Sequence, residues 1–182
     1  MALIRRRPNA PAADARAKAF ELAEQDPFVP LADGDSIPAG EDVLVSLARF
    51  ENDTAAILAG NGRLGVRIPS DRRLDPILPW LPRLALVAIE FPKFQDGRGY
   101  SLASMLRGRH GFTGELRAVG NVLRDQLGFM HRVGFDTFEL DPSFDGVRRD
   151  PARALSAFDD FDVFYQAAQD LSLPLWKRVR RA

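Results

Sequence analysis

The segment LALVAIEF, residues 84–91, is the most continuously apolar run in the chain and constrains the fold more than any other stretch. Strand side chains alternate between the two faces of a sheet. An unbroken run of this length therefore expects burial on both faces, which suits the middle of a parallel sheet. The flanking sequence agrees. Upstream, VLVSL (43–47) predicts a short buried strand, ARFENDTAAILAG (48–60) a helix stopped by Gly60, and RLGVRI (63–68) a second strand closed by Pro69. Downstream, a helix is expected over about 101–109 with Gly111 beyond its end, then a strand at ELRAV (115–119). VLRDQLGFMHRV (122–133) predicts the next helix, stopped by Gly134, and DTFEL (136–140) the next strand.

Strands and helices alternating through short connections make right-handed βαβ units. The expected fold class is α/β: a single domain over residues 41–182 with a largely parallel, open sheet of five or six strands flanked by helices. That count is too low for an eight-stranded barrel, and 182 residues suffice for one substantial core. Residues 1–40, interrupted by Pro27, Pro30 and Pro38, read as an irregular N-terminal arm, flexible or weakly docked, in which AADARAKAFELAEQ (12–25) supplies one short helix. Near the C-terminus the sequence predicts a helix begun by Pro151, an edge strand around 163–167, and a basic end. The aromatic cluster FDDFDVFY (158–165) reads as packing or as a partner-docking surface.

Several function classes are disfavoured by composition. The 25 basic and 25 acidic residues cancel, so there is no global basic field, and neither nucleic acid nor an anionic membrane is an expected partner. With no cysteine, the chain cannot form a disulfide, ligate zinc or an iron–sulfur cluster through thiolate, or use a thiol nucleophile. Two isolated histidines, His110 near a helix end and His131 on the polar face of its helix, do not suggest a metal site. No serine stands in a nucleophile-elbow context, which disfavours a conventional hydrolase. The first twenty residues lack an apolar core after their arginines, and no window approaches about 18 apolar residues. A soluble, cytoplasmic protein is expected.

In an open parallel sheet, ligands bind at the carboxyl ends of the strands, where loops lead into helix N-termini. Two loops lie there. The first carries Lys93, Asp96, Arg98, Tyr100 and Ser101, with Gly97 and Gly99 flanking Arg98; Ser101 reads as the N-cap of a helix whose free N–H groups attract anions. The second holds Asn121 and leads to Arg124, Asp125 and Gln126. Plain architecture accounts for the first loop equally well, with Asp96-Gly97 turning the chain and Arg98 pairing with a local carboxylate. A further pair, Glu115 and Arg117, sits two residues apart and so on one face of a strand, with Glu90 and Glu139 in the neighbouring strands. Charges on buried strands must pair, as Glu115–Arg117 or Arg117–Glu139. Asp96 and Glu115 are the candidate acid–base groups; Lys93, Arg98, Tyr100, Ser101, Arg117, Asn121, Arg124, Asp125 and Gln126 are the candidate ligand contacts.

The stretch from LALVAIEF through FPKFQDGRGYS, GELRAVG and LRDQL to DTFEL, residues 84–140, resembles closely the core of the bacterial DUF934 family. Members are commonly described as probable oxidoreductases or as accessory proteins of sulfite reduction. The resemblance implies an accessory role in assimilatory sulfite reduction and sulfur assimilation, with a small oxyanion or sulfite reductase bound at the C-terminal edge of the sheet. It identifies no cofactor and no catalytic residues. Two alternatives stay open: a small enzyme using Asp/Glu acid–base chemistry on an anionic substrate, and a non-catalytic interaction module.

Overall fold

The computed structural model describes residues 2–10, 17–140, 151–161 and 168. Eight strands form one sheet: β1 (Ala2–Arg6), β2 (Phe20–Ala23), β3 (Val29–Pro30), β4 (Val43–Ser46), β5 (Leu64–Pro69), β6 (Leu84–Phe91), β7 (Glu115–Gly120) and β8 (Thr137–Leu140). The helices are α1 (Leu47–Leu58), α2 (Arg98–Gly108), α3 (Leu127–Arg132) and the single turn α4 (Ala152–Leu155). Short 3-10 turns at Leu78–Arg83, Arg124–Gln126 and Ser156–Asp159 join them. Strand order is β2-β1-β8-β7-β6-β5-β4-β3. The apolar run at 84–91 is an interior strand, as expected, paired in parallel with both neighbours. Local signals also hold at helix ends. Ser46 caps α1 by accepting from the Arg49 amide at 3.0 Å, and Gly111 and Gly134 take positive φ just past α2 and α3.

The expectation of five or six largely parallel strands needs correction: the sheet is mixed and has eight. All three extra strands come from the first forty residues. β1 runs antiparallel to β8, pairing Ile4 with Phe138, and β2 runs antiparallel to β1. Their sequence signal is weak because each is short and buries few large side chains, chiefly Ile4 and Phe20. Arginines 5 to 7 further hide β1. The helix expected within 12–25 is not formed over its described part, where one 3-10 turn at Ala17–Ala19 leads directly into β2. The edge strand expected at 163–167 and the basic C-terminus lie outside the described residues.

The chain from β4 through β5, β6 and β7 to β8 steps across the sheet in one direction only. Right-handed crossovers then place every connecting helix on the same face. The main core records this. Phe50 and Ile57 of α1, Leu102 and Leu106 of α2, and Leu127 and Met130 of α3 pack with Val45, Val66, Ile89, Leu116 and Phe138 of the strands. The opposite face holds a much smaller apolar cluster, Leu44, Leu86, Ala88 and Val119, covered by Phe28 from the loop before β3, and no helical residue belongs to it. Beyond Phe28 this face is polar. Alternate positions of β5 to β8 place Arg67, Glu90, Glu115, Arg117, Thr137 and Glu139 there, and Arg67 pairs with Glu90 at 3.0 Å. Burial pushes the Glu139 carboxyl above its ordinary value, and the charges of Arg67 and Arg117 offset this only in part.

Two consequences are measurable. Ile4→Ala opens a cavity beneath β1 and should lower stability by about 2–5 kcal/mol in urea unfolding; an unchanged midpoint would detach β1 from the sheet. Glu139 has a raised pKa when folded, so its contribution is fully present below the unfolded value and is lost as pH rises through the folded one. Glu139→Gln should therefore be more stable than the parent at pH 7. The gain should vanish as pH falls below the ordinary value of 4.5, and a difference independent of pH would contradict the assignment.

Candidate functional site

Because β6 and β7 are neighbours, the two loops at their carboxyl ends do meet. The Asn121 amide donates to the Phe91 carbonyl at 2.7 Å. Gln126 spans both loops: its Nε2 donates to the Phe94 carbonyl at 3.2 Å, while its Oε1 accepts from the Leu123 amide at 3.1 Å. Tyr100, in the first turn of α2, meets Phe91 edge-on at 5.4 Å and Phe129 at 5.8 Å. Burial and then the Asp125 charge push its phenol up to about 12, against a hydrogen bond with Gln126, so Tyr100 is a neutral hydroxyl. Asn121 Oδ1 is buried without a hydrogen-bond partner among the described residues. Tyr100, Asn121, Asp125 and Gln126 thus come together, and two exposed aromatics flank them, Phe94 (46% exposed) and Phe129 (57% exposed). Sequence reasoning missed both, because nothing local distinguishes an exposed Phe from a buried one.

Two cations of this edge, Arg98 and Arg124, are held by the chain's own carboxylates. Arg98 donates from Nε and Nη2 to Asp96 at 2.9 and 2.7 Å, the local pairing that the plain architectural reading described. Asp96 also accepts from the Arg98 amide at 3.1 Å and from Ser70 at 2.7 Å. Arg98 and Ser70 together hold the Asp96 carboxyl far below the usual carboxylate range. Arg124 is bound by Asp160 at 2.8 and 3.0 Å and by Ser156 at 2.9 Å. Lys93 is exposed.

Ser101 is not the N-cap. α2 starts three residues earlier, at Arg98, with Gly97 at the cap position and Asp96 binding the first amide, so a carboxylate already occupies the place where an external anion would sit. Gly99 serves packing: a Cβ there would lie 2.6 Å from the Phe91 ring. Gly120 has φ +90°, and a Cβ there would lie 2.7 Å from the Phe91 carbonyl, which allows the close crossing of the two loops.

Glu115 and Arg117 belong elsewhere, on the bare face toward the start of β7. The Arg117 side chain is 1% exposed. It donates from Nε to Glu115 at 2.9 Å and from both terminal nitrogens to Asp26, and it stacks 5.7 Å from Phe28. Burial would lower its pKa, but the hydrogen bonds and charges of Asp26 and Glu115 outweigh that and raise it. The Glu115–Arg117 pair is thus formed, whereas Glu139 makes no hydrogen bond to Arg117 and Glu90 is taken by Arg67. Asp26, 91 residues away in sequence, had no signal that could find it. A cavity of about 420 Å³ opens beside this pair.

His131 is also corrected. It is buried rather than on a polar face, meets Phe20 edge-on at 5.0 Å, and places Nδ1 3.1 Å from the Phe135 carbonyl. α3 is shorter than the helical pattern implied, since residues 124–126 form a 3-10 turn that brings this part of the chain against Phe158. Among the described residues no cluster of three or more His, Cys, Asp or Glu could hold a metal ion. Nor is any helix among them long and apolar enough to cross a membrane.

No curated protein and no solved structure matches the chain. A family model, described as "Bacterial protein of unknown function (DUF934)", matches residues 65–176, from β5 through β8 and beyond, including both loops and the Glu115–Arg117 pair. With more than half its length matched, the chain belongs to the DUF934 family.

Proposed function

We propose that this chain is a non-catalytic accessory protein of assimilatory sulfite reduction that docks on the reductase through the C-terminal edge of its sheet. The observation that carries the docking half is the pair of exposed aromatics, Phe94 and Phe129, set around the neutral Tyr100–Gln126 contact. Protein interfaces place aromatic side chains at a desolvated centre and charged groups at the rim. The Arg98–Asp96 and Arg124–Asp160 pairs, with Arg98 and Arg124 a few residues from the aromatics in sequence, supply charged groups for such a rim. The metabolic half rests on what the family resemblance implies.

Two other readings have less support at this edge. A small oxyanion at the α2 terminus would have to displace Asp96 from the Arg98 amide. An acid–base mechanism through Asp96 would need a carboxylate that takes up protons near neutrality, whereas Arg98 and Ser70 keep this one ionised.

Purified chain should bind the purified reductase. Phe94→Ala and Phe129→Ala should each weaken that binding at least about tenfold, the scale of an interface centre, while Asp96→Asn leaves growth on sulfate intact. Unchanged affinity in the double aromatic variant would defeat the docking reading, and loss of growth in a folded Asp96→Asn protein would restore the enzymatic one. Cells lacking the gene should fail on sulfate and grow on cysteine. Equal growth on both would remove the link to sulfite reduction.

A further inference from the structure

The cavity beside Arg117 lies away from the docking edge, at the other end of β7 and on the face without helices. Its floor is a single row across three strands. Arg117 of β7 pairs with Thr137 of β8, which pairs in turn with Arg5 of β1. Adjacent strands lie about 4.8 Å apart, so the three side chains stand abreast. Arg63, just before β5, Asp26 and Glu115 complete the walls.

Arg117 contributes shape rather than free valence, since Asp26 and Glu115 already hold it. The uncommitted groups surround it. Thr137 is 3% exposed and lines the cavity, so its hydroxyl is available to a ligand there. Arg5 uses Nε on Glu21 at 2.9 Å, which leaves both terminal nitrogens without a described acceptor. Arg63 uses Nε and Nη2 on Asp42 at 2.9 and 2.6 Å, which leaves Nη1. These carboxylates fix the two guanidinium planes before any ligand arrives, which reduces the ordering cost of binding. On the acceptor side, Glu115 spends Oε1 on Arg117 and keeps Oε2.

We propose that this cavity binds a small organic oxyanion, a carboxylate or phosphate ester that also bears an amine or hydroxyl. Its acidic group meets Arg5, Arg63 and Thr137, and its donor meets Glu115 Oε2. Size separates this ligand from an inorganic anion. The space of about 420 Å³ falls in the range of organic-ligand sites and is many times the roughly 30 Å³ share of one water.

Calorimetric titration of the full chain tests the site, with L-glutamate and glycerol 3-phosphate as probes and inorganic phosphate and sulfate as small-anion controls. At least one organic probe should bind saturably and at least tenfold more tightly than either control. Arg63→Ala and Thr137→Val should each weaken it tenfold or more. Arg5→Gln, at an exposed position, gives a third variant that does not depend on tolerance of core changes, and it should do the same. Absence of binding by both organic probes at millimolar concentration overturns the site, as do equal affinity for inorganic phosphate and unchanged affinity in Arg5→Gln. Arg63→Ala should leave binding to the reductase unaltered, so failure here and failure of the docking reading are told apart.

Discussion

The constraint on which the rest of the structure depends is the direction in which the sheet is wound. Five successive strands, β4 to β8, advance one way without reversing, so all their crossovers fall on one side. A doubly wound sheet would have buried both faces and opened a crevice where the strand order reverses. Here there is no reversal and no such crevice among the described residues. One face is left for polar side chains, and the loop carrying Asp26 and Phe28 folds across it, with Arg117 as its anchor. An arginine this deeply buried survives because three hydrogen bonds to two carboxylates replace its hydration. Removing either partner would leave a charge stranded, so the pair specifies where the N-terminal segment lies.

Much of the parallel half was legible. β4 to β8 and the helices between them carry long apolar runs or clear stop signals such as Gly111 and Gly134, and those signals act over a few residues. What the sequence hid acts at long range. β1 and β2 become strands only because β8 offers an open edge, and Ile4 alone does not announce that. The position of Ser101 misled for a related reason: Asp96, tied by Ser70 across the loop, starts α2 a turn early. His131 looked superficial because the helical pattern groups it with Arg124 and Arg132, yet its neighbours in space are Phe20 and Phe158.

The candidate site residues, read as one group, divide into two. Tyr100, Asn121, Asp125 and Gln126 share the C-terminal edge with Arg98 and Arg124, whereas Glu115 and Arg117 stand about 17 and about 10 Å back from Gly120 along β7, at roughly 3.3 Å per residue, on the face without helices. The two-residue spacing of Glu115 and Arg117 made their pairing readable, because it follows from the pleat alone. The partners that give each group its character, Asp26 on one and Phe94 and Phe129 on the other, arrive through tertiary contacts. A protein built this way has two separately addressable surfaces. Contacts on the edge engage loops and α2, while the bare face is supported by strands.

The pairing of β1 with β8 also bears on how the chain folds during synthesis. Residues 2–6 are synthesised long before their partner, residues 137–140. Until β8 emerges, β1 and the β2 that rests on it have no sheet edge to join. The N-terminal strands therefore dock only after β8 has been made, a late closure over a long loop that costs chain entropy.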